Sequence, residues 1–391
     1  MNIVVHRGTH QIGGSAIEIS TESTRIILDF GNELTLDEMY TPNKLDIDGI
    51  TKGIPNCDGI VISHYHMDHL GQLTSTIPEV PLYMGELGKE IALIGAEYQD
   101  KDLYLRLLGA NTFRGGEVFT IGDICIRPLV VDHSAADSYM FLIEADGKRI
   151  LYTGDFRMHG LRHHVLEKLV KTYIGEIDVL ITEGTSLSRA TEDCISELAV
   201  LDDISSYIQD GKYVFVMCSS TNIDRIMGIW QNMPTDKVLI CDAYQKRILD
   251  TVISNVYYES SLYRRHDRPL VLDKGKYPKH YMDHGFVSVV RATENYISHI
   301  KEFPKDDVRI IYSMWTGYTE ENLALKDLLD TYPSYICHVS GHVSKTDLLK
   351  FIDLVNPDVI IPVHTDSPEK LEELIPERNV YIINDNEPFI L

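Results

Sequence analysis

The sequence predicts an α/β protein of two domains, and three features of the chain lead to that prediction. Short apolar runs rich in β-branched residues alternate with longer amphipathic segments, which is the pattern of strands and helices. Several of the predicted strands run directly into a histidine or an aspartate, so polar side chains are expected at one edge of a sheet. Residues 186–332 alternate strand and helix on their own, which indicates a separate parallel sheet.

The bulk properties are those of a soluble protein. The 391 residues are enough for two cores, and contents of 44% hydrophobic and 24% charged residues are ordinary. No apolar run is long enough for a membrane span, so no membrane partner is expected. The amino-terminal residues lack a basic export signal and the six cysteines include no Cys-x-x-Cys pair, so we expect a cytoplasmic protein with reduced thiols.

A six-residue run, His-Tyr-His-Met-Asp-His, starts at His64 and is the strongest candidate for a functional site. It follows the predicted strand Asp58–Ser63. Imidazoles and carboxylates suit zinc, and also iron or manganese. His64 and His66 occupy alternate positions and should face one ion, whereas Asp68 and His69 follow a turn and should face a second. Histidines also occur on polar surface loops, but the position directly after a buried strand favours a metal site.

Two ions need about six to eight protein ligands, so further ligands are expected downstream. Three more predicted strands end in a residue of this kind: Ile126–Asp132 before His133, Ile150–Arg157 with Asp155, and Val359–His364 with His364. One such strand end carries little information, because aspartate also caps helices. Four strands of one chain that end in such a residue, counting the strand before His64, predict that these residues share one metal site.

These motifs resemble those of the metallo-β-lactamase superfamily, which implies a four-layer αββα fold and two bound metal ions. We expect zinc, with manganese as the alternative. The resemblance implies one ligand group for each ion and one bridging residue: His64, His66 and His133; Asp68, His69 and His364; and Asp155 between them. Asp29 matches an early aspartate of the family, which orients the motif from behind the ligands.

Segments in the second half of the chain resemble the β-CASP nucleases, in particular the ribonuclease J family. The similar segments are Leu180–Thr185, Cys218–Arg225, Ser313–Tyr318, Val339–Ser344 and Asn356–His364. This resemblance implies an α/β domain of the β-CASP type at residues 186–334, inserted in a metallo-β-lactamase domain at 1–185 and 335–391. The chain ends soon after His364, so we expect the further C-terminal domain of ribonuclease J to be missing and leave homo-oligomer formation open.

The resemblance also implies catalytic roles for Asp68, Glu183 and His342. A metal-bridging hydroxide would attack phosphorus, and His342, oriented by Glu183, would protonate the leaving oxygen. A neighbouring carboxylate raises the pKa of an imidazole, so His342 should be protonated near neutral pH. The residues expected to contact phosphate are Ser220, Asn222, Ser340, Gly341, His342 and Ser344. Ser344 is also suited to cap the following helix.

The predicted function is therefore the hydrolysis of phosphodiester bonds, with RNA as the expected partner. The alternative is a hydrolase of a small ester, thioester or lactone on the same dinuclear site. A non-catalytic binding subunit would be expected to have broken metal motifs, and a diiron flavoprotein would need a flavin module; neither feature is evident.

The net charge of −23 is unusual for a protein that binds RNA, because an acidic surface repels phosphate backbones at long range. Basic residues are nevertheless clustered at 157–164 and at 246–280. They are expected either to line a substrate channel or to be ordinary solvated surface charge.

Overall fold

The computed structural model describes residues 1–34, 42–189, 195–255, 270–271 and 277–391. The chain divides into two compact units, unit 1 (Met1–Asp193 and Gly341–Leu391) and unit 2 (Cys194–Ser340). The sequence placed both boundaries a few residues earlier. The first lies later because Ser186 donates a hydrogen bond to the main-chain oxygen of Val343, in unit 1. The second lies later because Ser334–Ile336 is a strand of the sheet in unit 2.

Unit 1 contains two sheets, of seven and six strands. The first sheet, in spatial order, consists of β19 (Pro388–Ile390), β1 (Asn2–Arg7), β2 (Ala16–Ser20), β3 (Arg25–Leu28), β4 (Gly59–Ile62), β5 (Leu82–Gly85) and β6 (Asn111–Phe113). The second consists of β18 (Val359–Val363), β11 (Val179–Glu183), β10 (Lys148–Tyr152), β9 (Ser138–Ala145), β8 (Ile124–Val131) and β7 (Phe119–Ile121). Strands β10, β11 and β18 are parallel neighbours, so their carboxyl ends meet at one edge.

The helices of unit 1 lie in two groups along the chain. They are α1 (Met67–Leu70), α2 (Glu86–Gln99), α3 (Lys101–Leu108), α4 (His163–Leu169), α12 (Lys345–Val355) and α13 (Glu369–Leu374), with short helical turns at Leu73–Ser75 and Val170–Ile174. Helix α12 starts where Oγ of Ser344 accepts the main-chain N–H of Asp347 at 3.1 Å. It ends at Asn356, which has a φ of 50°.

Two apolar cores explain the layering of unit 1. One is built from residues of both sheets, including Ile19, Val61, Phe141 and Ile181. The other joins the second sheet to helices and includes Leu166, Phe351 and Leu371. On the first sheet, α2 packs beside β5. Helix, sheet, sheet and helix follow one another, which confirms the predicted αββα arrangement.

Unit 2 is built around one six-stranded sheet in which every pair of neighbours is parallel, as predicted. In spatial order its strands are β14 (Leu270–Val271), β13 (Leu239–Cys241), β15 (Phe286–Val290), β12 (Tyr213–Met217), β16 (Val308–Tyr312) and β17 (Ser334–Ile336). Its helices are α5 (Glu197–Asp210), α6 (Ile223–Asn232), α7 (Ala243–Ser254), α8 (Lys279–His284), α9 (Glu294–Ile300), α10 (Tyr318–Glu321) and α11 (Leu323–Thr331), with a helical turn at Lys305–Asp307.

In the described ranges, none of the helices combines the length and the apolar character of a membrane-spanning segment. The middle of the predicted basic cluster lies outside the described residues; it comprises Arg264, Arg265, His266, Arg268, Lys274 and Lys276.

Candidate metal centre

Three imidazoles of unit 1, those of His64, His66 and His133, form the first donor group. Nε2 of His64 lies 3.1 Å from Nδ1 of His66, and Nε2 of His133 lies 3.2 Å from that same atom. Burial and then repulsion from neighbouring imidazoles hold the pKa of His64 and of His133 well below the usual value. Both rings are therefore neutral, which is the form that binds a metal ion.

The second donor group consists of Asp68, His69, Asp155 and His364, all buried in unit 1. Nε2 of His364 lies 3.1 Å from Oδ2 of Asp68, and Nε2 of His69 lies 3.2 Å from Oδ2 of Asp155. The donor atoms of this group all lie within 4.8 Å of one another. The groups are separate because α1 begins at Met67 and turns the chain out of its extended path, as the sequence predicted.

The second donor group holds buried polar atoms without a well-aligned hydrogen bond. Nε2 of His69 faces Oδ2 of Asp155 at 3.2 Å, but neither this nitrogen nor either carboxylate oxygen of Asp155 meets the geometry of a hydrogen bond within the described part of the chain. Such atoms are costly to bury without a partner. Burial lowers the pKa of His69, but the carboxylates of Asp155, Asp68 and Asp29 outweigh it and raise the pKa well above the usual value. A metal ion at Nε2 would supply the charge that a proton otherwise supplies.

Asp155 connects the two donor groups. Its Oδ2 atom lies 3.9 Å from Nε2 of His64 and 4.0 Å from Nε2 of His133. Its Oδ1 atom lies 3.8 Å from Nε2 of His364. This position is compatible with the bridging role that the family resemblance implies, and that role stays a prediction.

Asp29 lies behind the second donor group, where the sequence predicted it. Its carboxylate is completely buried and accepts hydrogen bonds from Nδ1 of His69, the hydroxyl of Tyr152 and both the main chain and the side chain of Ser63. The bond from His69 places the ring proton on Nδ1 and leaves Nε2 for a metal ion.

Gly341 supports the first donor group by a contact that the sequence did not predict. Its main-chain oxygen accepts a hydrogen bond of 2.7 Å from Nδ1 of His133. A Cβ atom at this position would lie 2.7 Å from Oγ of Ser134, so only glycine allows the loop to come this close. The sequence had suggested only a phosphate contact for Gly341.

Glu183 and His342 form the pair that the sequence predicted. Oε2 of Glu183 lies 3.0 Å from Nδ1 of His342, and Oε1 of Glu183 accepts the main-chain N–H of Phe156 at 2.9 Å. Nδ1 of His342 also lies 3.5 Å from Oδ2 of Asp155. Burial lowers the pKa of His342, but the carboxylates of Glu183 and Asp155 outweigh it and raise the pKa to about 9.

The predicted phosphate contacts lie in both units. In unit 1, Oγ of Ser344 caps α12, as the sequence suggested. In unit 2, Oγ of Ser220 lies 3.4 Å from Nη1 of Arg291. Oδ1 of Asn222 is buried and has no hydrogen-bond partner among the described residues. Binding of phosphate by these residues, and by Ser340, stays a prediction.

Arg157 has a structural role instead of facing a substrate. Its side chain is only 1% exposed, and Nε donates a 2.7 Å hydrogen bond to Oδ1 of Asp132. Asp132 directly precedes His133 in the sequence, and Arg157 lies two positions after Asp155. The ion pair thus fastens together two strand ends that carry ligands, and Arg157 is not available to a substrate channel.

Two protein-family models match the chain. A β-lactamase superfamily domain matches residues 24–201, and a Zn-dependent metallo-hydrolase RNA specificity domain matches residues 334–382. Together these ranges cover more than half of the chain and carry both donor groups. With the αββα fold, they show that the chain belongs to the metallo-β-lactamase superfamily.

Curated relatives identify the branch. Ribonuclease J of Helicobacter pylori (strain ATCC 700392 / 26695) is 22% identical over 425 residues, covering 97% of this chain and 59% of the relative. An RNase J-like protein of Methanocaldococcus jannaschii is 29% identical over 223 residues, covering 54% of this chain and 49% of the relative. The chain thus spans less than two thirds of the length of these relatives. It is a ribonuclease J-like member of the β-CASP branch, as its motifs indicated.

A solved structure agrees with the fold. The crystal structure of a protein of unknown function from Enterococcus faecalis V583 matches with a TM-score of 0.82 and 20% sequence identity. The match covers 100% of this chain and 99% of that one. At this identity the similarity concerns the fold alone.

Proposed function

We propose that this protein is a metal-dependent hydrolase that cleaves phosphodiester bonds of RNA. The observation that carries the proposal is the Glu183–His342 pair, which lies against Asp155 of the second donor group. A ribose oxygen is a poor leaving group, so its departure benefits from a positioned acid. The two donor groups alone would suit any hydrolase of the superfamily.

Two zinc ions, with manganese as the alternative, are proposed for the two donor groups. His64, His66 and His133 would hold one, and Asp68, His69 and His364 the other, with Asp155 shared. When bound, the ions would supply positive charge next to the phosphoryl oxygens and a more acidic water at neutral pH.

The chain itself would supply the proton. Nδ1 of His342 is engaged by Glu183, so the proton for the leaving oxygen would come from Nε2. Glu183 is held in turn by the main-chain N–H of Phe156, which keeps one carboxylate oxygen directed at the imidazole. The carboxylates of Glu183 and Asp155 raise the pKa of His342 to about 9 against the effect of burial, which favours the protonated ring.

RNA is proposed as the substrate class for two reasons. The matched domain at residues 334–382 is described as an RNA specificity domain and includes both His342 and His364. The relatives include a ribonuclease J and the endoribonuclease YSH1 of Gibberella zeae, which is 26% identical over 281 residues and covers 66% of this chain and 32% of that protein.

The test uses purified protein, stripped with a chelator and reloaded with zinc or manganese. Its substrates are 5′-phosphorylated RNA and internally labelled RNA, and the product lengths distinguish cleavage at an end from cleavage within the strand. We expect cleavage only by the reloaded protein, with a large loss in His64→Ala and Asp155→Ala and no loss in the exposed control Asp123→Ala. Intact RNA with the loaded wild type, or unchanged cleavage by either ligand variant, would refute the proposal.

A further inference from the structure

We propose that Thr185 is a positioning residue that couples a metal ligand, His364, to the acid His342; the role of His342 rests on the proposed function. Oγ1 of Thr185 lies 2.9 Å from Nδ1 of His364 and 3.3 Å from Nδ1 of His342. The side chain is 1% exposed, so water does not compete for these contacts. One hydroxyl therefore lies within hydrogen-bond distance of Nδ1 of both imidazoles.

The direction of the hydrogen bonds follows from counting protons. Nε2 of His364 lies 3.1 Å from Oδ2 of Asp68 and points into the second donor group. A ring that binds a metal ion through Nε2 carries its proton on Nδ1, so His364 donates to Oγ1 of Thr185. The single hydrogen of Thr185 is then directed to the main-chain oxygen of His364, 3.3 Å away.

Counting protons also determines which nitrogen of His342 is protonated. Glu183 accepts hydrogen bonds only, so Nδ1 of His342 must carry a proton to bond it at 3.0 Å. That proton also faces Oγ1 of Thr185, which can accept from both rings because a hydroxyl has two lone pairs. Thr185 thereby accepts from Nδ1–H of His364, which fixes the tautomer of that ring, and faces the Nδ1–H that His342 donates to Glu183.

The backbone before Thr185 explains how the hydroxyl reaches this position. Gly184 donates its main-chain N–H to Val363 at 2.9 Å, and this brings the turn against β18. A Cβ atom at Gly184 would lie 2.6 Å from Cδ1 of Leu187 and 3.0 Å from Cβ of Thr365. Gly184, where a Cβ atom has no room, thus lets the turn that carries Thr185 approach His364.

The consequence is a dependence of metal affinity on one hydroxyl group. Without it, Nδ1–H of His364 is buried next to a methyl group and the ring is free to change tautomer. Loss of a group that orients a ligand typically weakens metal binding by about 10- to 100-fold. Only the second donor group should be affected, because the hydroxyl of Thr185 contacts His364 and His342 and, among the described residues, none of His64, His66 and His133.

The experiment compares Thr185→Val, which removes the hydroxyl at nearly constant volume, with Thr185→Ser, which keeps it. Thr182→Val is the matched control, because Thr182 is a buried threonine of β11, three positions before Thr185, and its hydroxyl donates to the main-chain oxygen of Glu183. Zinc affinity is measured on the intact 391-residue chain by competition with a chromophoric chelator. Nitrogen-15 NMR of labelled histidines, with zinc bound, reports which ring nitrogen carries the proton.

We expect Thr185→Val to weaken the binding of one zinc equivalent and to move the Nδ1–H resonance of His364 away from the position of a hydrogen-bonded proton, while Thr185→Ser and Thr182→Val behave like the wild type. Wild-type affinity in Thr185→Val would overturn the inference. An equal loss of zinc affinity in Thr185→Val and in either of the other two variants would also overturn the inference, because the loss would then come from altered packing and not from the missing hydroxyl. Since zinc binding is read without RNA, a wild type that binds zinc but leaves RNA intact would refute only the proposed function.

Discussion

Nδ1 of His69 donates a hydrogen bond to Oδ2 of Asp29 at 2.8 Å, and the hydroxyl of Tyr152 donates to the same oxygen at 2.6 Å. Asp29 holds this position with a φ of 58°, a left-handed conformation that is unusual for a residue with a side chain. The hydrogen bonds from Ser63 help to keep it there. The backbone at the end of β3 is thus arranged so that one carboxylate orients a ligand on a different segment.

Asp29→Asn should therefore weaken metal binding although it replaces none of the proposed metal ligands. An amide is a weaker acceptor than a carboxylate, and its NH₂ group would face the donors of Ser63 or Tyr152. We expect zinc affinity or activity to fall by about 10- to 100-fold. Equilibrium dialysis with metal analysis measures the change, and the exposed Asp123→Asn serves as the control. Unchanged zinc affinity in Asp29→Asn would show that His69 does not depend on this bond.

The strand ends of the centre were predictable because they depend on local patterns. A buried strand followed by a histidine or an aspartate is visible in the sequence, and it located His64, His133, Asp155 and His364. The αββα layering and the Glu183–His342 pair came from the family resemblance, and the order of the strands was not predicted, since no local pattern specifies which strands become neighbours.

The supporting contacts were not predictable, because each joins segments that are far apart in the chain. Thr185 and His364 are separated by 179 positions, and His133 and Gly341 by 208. Arg157 is a further example. Its charge left a substrate channel and a solvated surface position both open, but the fold buries the guanidinium against Asp132, a partner that the sequence alone does not reveal.

His342→Ala separates the proposed function from its alternative. Removal of a general acid typically costs about 10²- to 10⁴-fold in rate when the leaving group is poor. We expect a loss of this size on RNA and a much smaller loss on bis(p-nitrophenyl) phosphate, whose leaving group needs no proton. Zinc content, measured in parallel, should stay at the wild-type value. Equal losses on both substrates would exclude His342 as the acid, and full activity on RNA would favour the small-ester alternative.

A buried ion pair should determine the stability of unit 2. Arg225 and Glu197 are both inaccessible and form two hydrogen bonds of 2.7 Å. Removing one partner of such a pair leaves an uncompensated charge and costs about 3–5 kcal/mol. Arg225→Met should lower the free energy of unfolding by that amount, and the double variant Arg225→Met/Glu197→Leu should recover much of it.

Tryptophan fluorescence is the natural probe for this prediction, because both tryptophans, Trp230 and Trp315, belong to unit 2. Lys246→Met provides the control, since it breaks a partly exposed pair with Asp250 and should cost no more than about 1 kcal/mol. A double variant as unstable as Arg225→Met alone would contradict the explanation by unpaired charge.

Glu18 should make the stability of unit 1 depend on pH. Burial alone would raise the pKa of this carboxyl, but hydrogen bonds and charges from His6 and Arg25, at 2.9 Å and 2.6 Å, outweigh it and lower the pKa. A carboxyl whose pKa is lower in the folded state stabilises the fold above its unfolded pKa of about 4.3, and this stabilisation is lost as the pH falls through the folded pKa.

Glu18→Gln should consequently be less stable than the wild type at pH 7, by about 1–3 kcal/mol. The difference should shrink as the pH is lowered below about 4 and vanish once the wild-type carboxyl is protonated too. Urea unfolding followed by circular dichroism measures it, on chelator-treated samples so that release of metal at low pH does not contribute. The exposed Glu22→Gln should show no such trend. A difference that stays constant or grows toward low pH would mean that the charge of Glu18 is not what stabilises β2 against its neighbours.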